Sequence, residues 1–270
     1  MTAVCTEREE KKDTSLSKST RVVLIMEYDG TRYYGSQVQA NLPTIQGEVE
    51  AALHKLTGEK SRVMATSRTD TGVHARGQVV SFRTGSSLPL QTFIKGINYY
   101  LPKDITVKDA FRASDSFNVR RSAIMREYSY YILNRPTRSP MQCKSSYQVA
   151  SHLDTKAMNQ ACQALVGSHD FASFVTSLAG VKSTIRHIYK AKVTKDGDLV
   201  VFNVVANAFL PHQIRNTIGS LIKVGLGKIT VDEFYNIVAA KRPGLAGPTA
   251  PARGLCLMQV SYPHPFRGDN

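Results

Sequence analysis

Tryptophan is absent from the 270 residues and cysteine is scarce. The four thiols, Cys5, Cys143, Cys162 and Cys256, are scattered and form no Cys-x-x-Cys pair. This spacing excludes a zinc knuckle and speaks against a disulfide framework; it fits ordinary thiols in a reducing compartment, the cytoplasm. Also missing is any uninterrupted apolar run of about 18 residues, so no membrane-spanning helix is expected. Acidic side chains are few: 21 Asp and Glu stand against 35 Lys and Arg, a formal net charge of +14. The first 20 residues carry four acids and four bases and no apolar segment of the signal-peptide kind, and are read as a disordered tail. The whole excess therefore sits on residues 21–270, where it points to a polyanionic partner. With 42% apolar and 21% charged residues, the chain as a whole is an ordinary globular mixture, long enough for one large or two modest domains.

What is present alternates between strand and helix signals. Residues 21–28 form a short β-branched apolar run stopped by Asp29-Gly30, a buried strand. Ile45, Val49, Ala52, Leu53 and Leu56 recur at helical spacing between an N-cap at Thr44 and a stop at Gly58. Strands are predicted over 62–67, 78–84 and 105–113, with a helix on Leu90, Phe93, Ile94 and Ile97. The second half repeats this order. It has a strand over 123–133, a helix from Asp154, and a hairpin of 185–194 with 199–206 around Asp196-Gly197. An apolar helix on Ile214, Ile218, Leu221 and Ile222 follows, then a capped helix from Thr230 with Glu233, and a last strand over 255–262. The fold class is therefore α+β: two pseudo-repeated halves, 21–112 and 113–270, forming one mainly antiparallel sheet flanked by helices. The stretch around 102–117 is the expected connection.

Three segments are too polar to be plain connectors. In the first, Asp70 lies among Arg68, His74 and Arg76 just after a strand. A carboxylate held among cations stays ionised and suits a nucleophile or proton acceptor; the same composition also describes a solvated turn with a surface ion pair. No second His or Cys lies at ligand spacing from His74, so no metal site is expected. The second, 112–144, holds seven bases against two acids, with Tyr128, Tyr130 and Tyr131 interleaved. Arginines beside aromatic rings suit RNA, although alternation sends Tyr130 and Tyr131 to opposite faces, so one of them is packing. In the third, Arg215 stands next to an apolar helical stripe. If buried it needs a carboxylate partner; otherwise it snorkels outward.

Six stretches, in order, carry a resemblance: Glu27-Tyr28-Asp29-Gly30-Thr31-Arg32-Tyr33-Tyr34-Gly35-Ser36-Gln37, Ser67-Arg68-Thr69-Asp70-Thr71-Gly72-Val73-His74-Ala75, Arg126-Glu127-Tyr128-Ser129-Tyr130, His169-Asp170-Phe171, Arg215-Asn216-Thr217-Ile218-Gly219 and Ala246-Gly247-Pro248-Thr249-Ala250-Pro251. Together they resemble the TruA family of tRNA pseudouridine synthases over about residues 21–263. The resemblance implies a cofactor-free, homodimeric isomerase of the pseudouridine synthase fold. It would act on uridines 38, 39 and 40 in the anticodon arm of tRNA, with RNA and not DNA as its partner. It implies that Asp70 is the catalytic carboxylate, that Arg68 helps extrude the target base, that Tyr128 contacts the uracil, and that Arg215 is the counterion of Asp70. Ser36, Ser67, Thr71 and Gln213 depart from the family pattern, where tryptophan, glycine, alanine and methionine are usual.

Two other classes compete. A non-catalytic tRNA-binding protein or chaperone would explain the charge and the Arg/Tyr strand equally well; Asp70 separates the two, since an acid in a phosphate-binding cleft opposes binding unless it does chemistry. A nucleosidase would use Asp29 and Asp70 as paired carboxylates.

Overall fold

The apolar run near the start becomes a central strand. In the computed structural model, which describes residues 19–263, strand β1 (Thr20–Tyr28) pairs antiparallel with β3 (His74–Thr84) on one side and β4 (Ile105–Ala113) on the other. Val22, Leu24, Met26 and Tyr28 line its buried face, as a period of two requires. Residues 1–18 of the expected tail lie outside the described residues, and Thr20 already belongs to β1.

Helix α1 (Ile45–Thr57) starts where Thr44 Oγ1 accepts the Gly47 N–H and stops at Gly58, whose φ of 75° closes it in the left-handed region. The short strand β2 (Met64–Ala65), helix α2 (Leu90–Tyr100) and β4 complete the first half. The second comprises β5 (Met125–Leu133), β6 (Tyr147–Gln148), α3 (Thr155–Cys162), β7 (Gly167–Asp170), β8 (Ile185–Asp196), β9 (Leu199–Ala206), α4 (Gln213–Gly225), α5 (Val231–Ala240) and β10 (Leu255–Ser261). The capping box of Thr230 and Glu233 is present at the start of α5. The β8–β9 hairpin turns on Gly197-Asp198, one residue later than the Asp-Gly pair suggests, with Gly197 at φ 55°. Most of the expected connecting segment is β4 itself, and the link between halves is the irregular stretch 114–124.

The sheet order is β4-β1-β3-β10-β5-β9-β8-β7, with β2 on β3 and β6 on β5. The two halves repeat in pairing as well as in order. Each opens with a strand (β1, β5) flanked antiparallel by its half's last strand (β4, β10) and by a later one (β3, β9). The seam is parallel and short, Cys256 opposite His74 and Leu257 opposite Ala75, so the final strand joins the halves into one continuous sheet. Helix α2 packs on β4 and α1 on α2, while α3 packs on β8 and carries α4 and α5. Phe171, Phe174 and, from α5, Phe234 make tilted ring contacts in sequence at 5.9 and 6.0 Å and are fully buried.

Candidate active site

Asp70 sits on the loop between β2 and β3, and that loop is braced from below. The Thr69 N–H donates to Ser36 Oγ at 2.8 Å, and the Ser36 N–H donates back to the Thr69 carbonyl at 3.0 Å. Thr69 Oγ1 and the Tyr28 hydroxyl share a hydrogen bond of 2.8 Å, and Gln78 Nε2 donates to the Ser67 carbonyl at 2.8 Å. Gly30 lets the first motif run against the loop: a Cβ there would lie 2.0 Å from the Val73 carbonyl oxygen. Gly72, at φ 77°, turns the chain into β3. The loop's backbone is thus fixed, and the Asp70 side chain is left 37% exposed above it.

Its partner comes from α4. Arg215 Nη1 donates to Asp70 Oδ2 at 3.0 Å, and Arg215 Nε donates to the Ala250 carbonyl at 2.8 Å. Two of the six stretches meet to hold this arginine. Gly219 admits the 247–249 backbone so closely that a Cβ would fall 1.7 Å from the Pro248 oxygen. Thr249 Oγ1 then donates to Asn216 Oδ1 at 2.6 Å, and Asn216 Nδ2 to the Phe174 carbonyl at 2.8 Å. Gln213, 2% exposed, accepts the Leu210 N–H at 2.8 Å and closes the turn before α4. That turn puts His212, in the left-handed region at φ 58°, with Nε2 3.5 Å from Asp70 Oδ2. Sequence reasoning did not assign His212 to the site; only its position immediately before α4 hinted at it.

A cleft of about 650 Å³ opens over Asp70, within the range of small-molecule pockets. Tyr128 on β5 forms one wall, its ring edge-on to Phe209 at 5.3 Å. Burial pushes the Tyr128 hydroxyl well above the usual phenol range, a neighbouring Ser67 hydroxyl working against that shift. Arg68 is exposed at the cleft mouth, and Arg120 and Arg126 line it. Arg126 is tied down by donating to the carbonyls of Ala123 at 2.9 Å and Arg120 at 2.9 Å. Tyr130, on the same face as Tyr128, is fully buried and donates its hydroxyl to the Pro251 carbonyl at 2.8 Å. Tyr131 lines a cavity on the opposite face of the sheet.

The sequence neighbours of Asp70 are not its partners. His74 and Arg76 face that second cavity, because β3 begins at His74 immediately after the Gly72 turn. His74 Nδ1 accepts the Gly30 N–H at 3.2 Å and lies 3.1 Å from Asp29 Oδ1, and its Nε2 meets the Lys144 carbonyl at 2.9 Å. Asp29 lines the same second cavity, so the paired-carboxylate reading of Asp29 with Asp70 fails on geometry. Among the described residues no group of three His, Cys, Asp or Glu is placed to hold a metal ion.

One carboxylate fixed by a guanidinium thus lies under an aromatic wall and a mouth of arginines, a set that fits an enzyme acting on RNA. Similarity to known proteins takes this further. The family model described as tRNA pseudouridine synthase matches residues 24–120 and 161–263. The tRNA pseudouridine synthase A of Geotalea uraniireducens is 42% identical over 90% of this chain and 99% of its own length. Those of Chloroflexus aurantiacus and Thermoanaerobacter sp. are 41% and 40% identical, over 90% and 89% of this chain and 88% and 99% of theirs. The chain belongs to the tRNA pseudouridine synthase family and is an isomerase acting on tRNA.

Proposed function

We propose that this isomerase converts uridine to pseudouridine at positions 38, 39 and/or 40 of the anticodon arm, and that it does so as a cytoplasmic homodimer without a cofactor. The observation that carries the assignment is the Asp70–Arg215 pair at 3.0 Å on the floor of a cleft walled by Tyr128. The reaction breaks the N1–C1′ bond, turns the uracil and rejoins it through C5; a proton leaves C5 and one is gained at N1, with no net redox change or hydrolysis. Asp70 either attacks C1′, to be displaced when C5 attacks in turn, or removes a ribose proton. In both routes Arg215 holds the carboxylate in place through its hydrogen bond at 3.0 Å. A stem uridine must leave its stack, at a cost of a few kcal/mol. In this reading Arg68, exposed beside the cleft, fills the vacated space, and Tyr128 in its wall meets the extruded ring.

A homodimer is supported by charge and size. One small subunit offers limited surface to an L-shaped RNA, and pairing doubles the +14. A cytoplasmic location agrees with a tRNA substrate; among the described residues no helix is long and apolar enough to cross a membrane. The competing reading, a tRNA-binding protein without chemistry, leaves the Asp70–Arg215 pair without a task. Incubating the purified protein with unmodified tRNA and mapping pseudouridine decides between them. The expected product lies at 38–40 with the unaltered chain and is lost in Asp70→Asn. Product elsewhere in the tRNA would move the site assignment, and bound tRNA without product would favour the binding protein.

A further inference from the structure

We propose that a second cleft, on the far side of Arg68 from the active site, binds the phosphodiester backbone of the tRNA strand leaving the target pocket. This rests on the reading that the pocket over Asp70 receives a tRNA uridine. The cleft has a volume of about 510 Å³ and is lined by Arg21, Lys60, Arg62, Arg68, Arg83 and Arg120, with no carboxylate among the described residues of its lining. Arg62 and Arg83 have acids only at the rim, Glu50 at 3.5 Å and Asp115 at 3.0 Å. Lys60, Arg68 and Arg120 have no carboxylate partner among the described residues.

The two clefts are adjoining chambers, since Arg68 and Arg120 line both. A strand whose base enters one must pass its backbone over this shared cationic wall. Arg120 commits Nε to the Ala65 carbonyl at 2.9 Å and lies near enough to Arg68 that the two charges oppose each other. An anion between two guanidiniums relieves that repulsion. In the wall of the cleft, Arg21 Nε and Ser81 Oγ are buried without a hydrogen-bond partner, and Ser81 is 1% exposed. The lining also tells backbone from base. Its one aromatic residue, Phe82, is 1% exposed, so there is no ring on which a base could stack. Six cations with no stacking platform fit a run of phosphates read without regard to sequence.

The test is salt-dependent tRNA binding, measured in the Asp70→Asn background so that no turnover intervenes, together with steady-state pseudouridine formation in the active protein. For Lys60→Gln with Arg62→Gln, the slope of log K against log salt should become shallower by about 0.7–0.9 for each phosphate no longer neutralised. KM for tRNA should rise alike for every tRNA sequence tried. Lys60→Arg should keep the unaltered slope, and Lys60→Gln alone, which breaks no ion pair within the fold, should give a single step if the double variant does not fold. An unchanged slope would overturn the proposal. So would a fall in kcat with KM untouched, or a weaker affinity accompanied by dissociation in sedimentation, which would give the cleft to a second copy of the chain. If the active protein formed no pseudouridine while the slope still responded, the proposed reaction would fail and the backbone site would stand.

Discussion

Arg215 and Asp70 are 145 residues apart in sequence and meet at 3.0 Å, the arginine from the first turn of α4 and the aspartate from a loop of the other half. The pair therefore links the two halves at the floor of the cleft. Replacing Arg215 with Met should depress kcat strongly. It should cost stability between the ~0–1 kcal/mol of a surface pair and the ~3–5 kcal/mol of a fully buried one, because Asp70 is 37% exposed and water screens it. A double-mutant cycle with Asp70→Asn should show non-additivity in both quantities. Additive effects would mean that Arg215 acts only through its bond to Ala250.

Ser36 is expected to matter more than its sequence suggests. The family resemblance leads one to expect a tryptophan here, yet Ser36 accepts the buried Thr69 N–H next to Asp70. Ser36→Ala leaves that N–H without its acceptor, which typically costs about 1–3 kcal/mol. Chemical denaturation should show the loss, and kcat should fall with it as the Asp70 loop loosens. An unaltered kcat would show that the other braces, Tyr28 and Gln78, are sufficient.

Alkaline pH should destabilise the fold before it denatures ordinary surfaces. Burial pushes the Tyr28 hydroxyl up to about 12, with the hydrogen bonds to Thr69 and Gln78 pulling the other way. In the unfolded chain a tyrosine ionises near 10. Between these values the unfolded state binds fewer protons than the native one, so stability is intact below pH ~10 and falls as pH rises toward 12. Tyr28→Phe should flatten this slope while lowering stability at neutral pH by about 1 kcal/mol for the missing hydrogen bond. Urea titrations from about pH 8 to about pH 11.5 provide the check; an equally steep slope in the variant would assign the effect to other buried phenols.

Local patterning carried most of the elements. The cap at Thr44, the capping box at Thr230 and the alternation of β1, β4, β5 and β9 are short-range signals, and each appears where the sequence predicts it. Strand β2 covers only Met64–Ala65 of the predicted 62–67, because the chain beyond it peels away to form the Asp70 loop. What could not be read locally is what depends on distant partners. Nothing in residues 255–262 says that they will insert between β3 and β5, since the register is set by strands about 125 residues or more earlier in the chain. The charges around Asp70 mislead for the same reason: a strand start at His74 turns two of them to the other face, and the partners of the aspartate come from α4 and the residue before it. The apolar surroundings of Arg215 left two outcomes open, a carboxylate partner or snorkelling outward, and the choice of Asp70 as that partner was carried by the family resemblance alone.

Tyr128 separates two accounts of how the base is met. Its side chain is largely buried against Phe209, so only part of the ring is offered to a base, while the hydroxyl points into the region of Ser67 and Asp70. If the ring is only a platform, Tyr128→Phe should keep most activity and Tyr128→Ala should forfeit about 1–3 kcal/mol of base stacking. If the hydroxyl relays the C5 proton, Phe should be nearly as damaging as Ala in kcat, by ~10²-fold or more. We expect the second outcome. On the proposed reading Asp70 works at the ribose, so the C5 proton needs another acceptor. A hydroxyl whose ionisation is opposed by burial can still take a proton on its lone pair while passing its own to Ser67, which lines the cleft and releases its own proton to solvent, so that neither hydroxyl ends charged. Ser67→Ala should then share the kcat defect of Tyr128→Phe and leave KM unchanged, and the double variant should be no worse than either single one. Single-turnover rates on one tRNA for the three variants decide the matter: unaltered rates in Tyr128→Phe would make the ring a packing element and leave the proton to solvent.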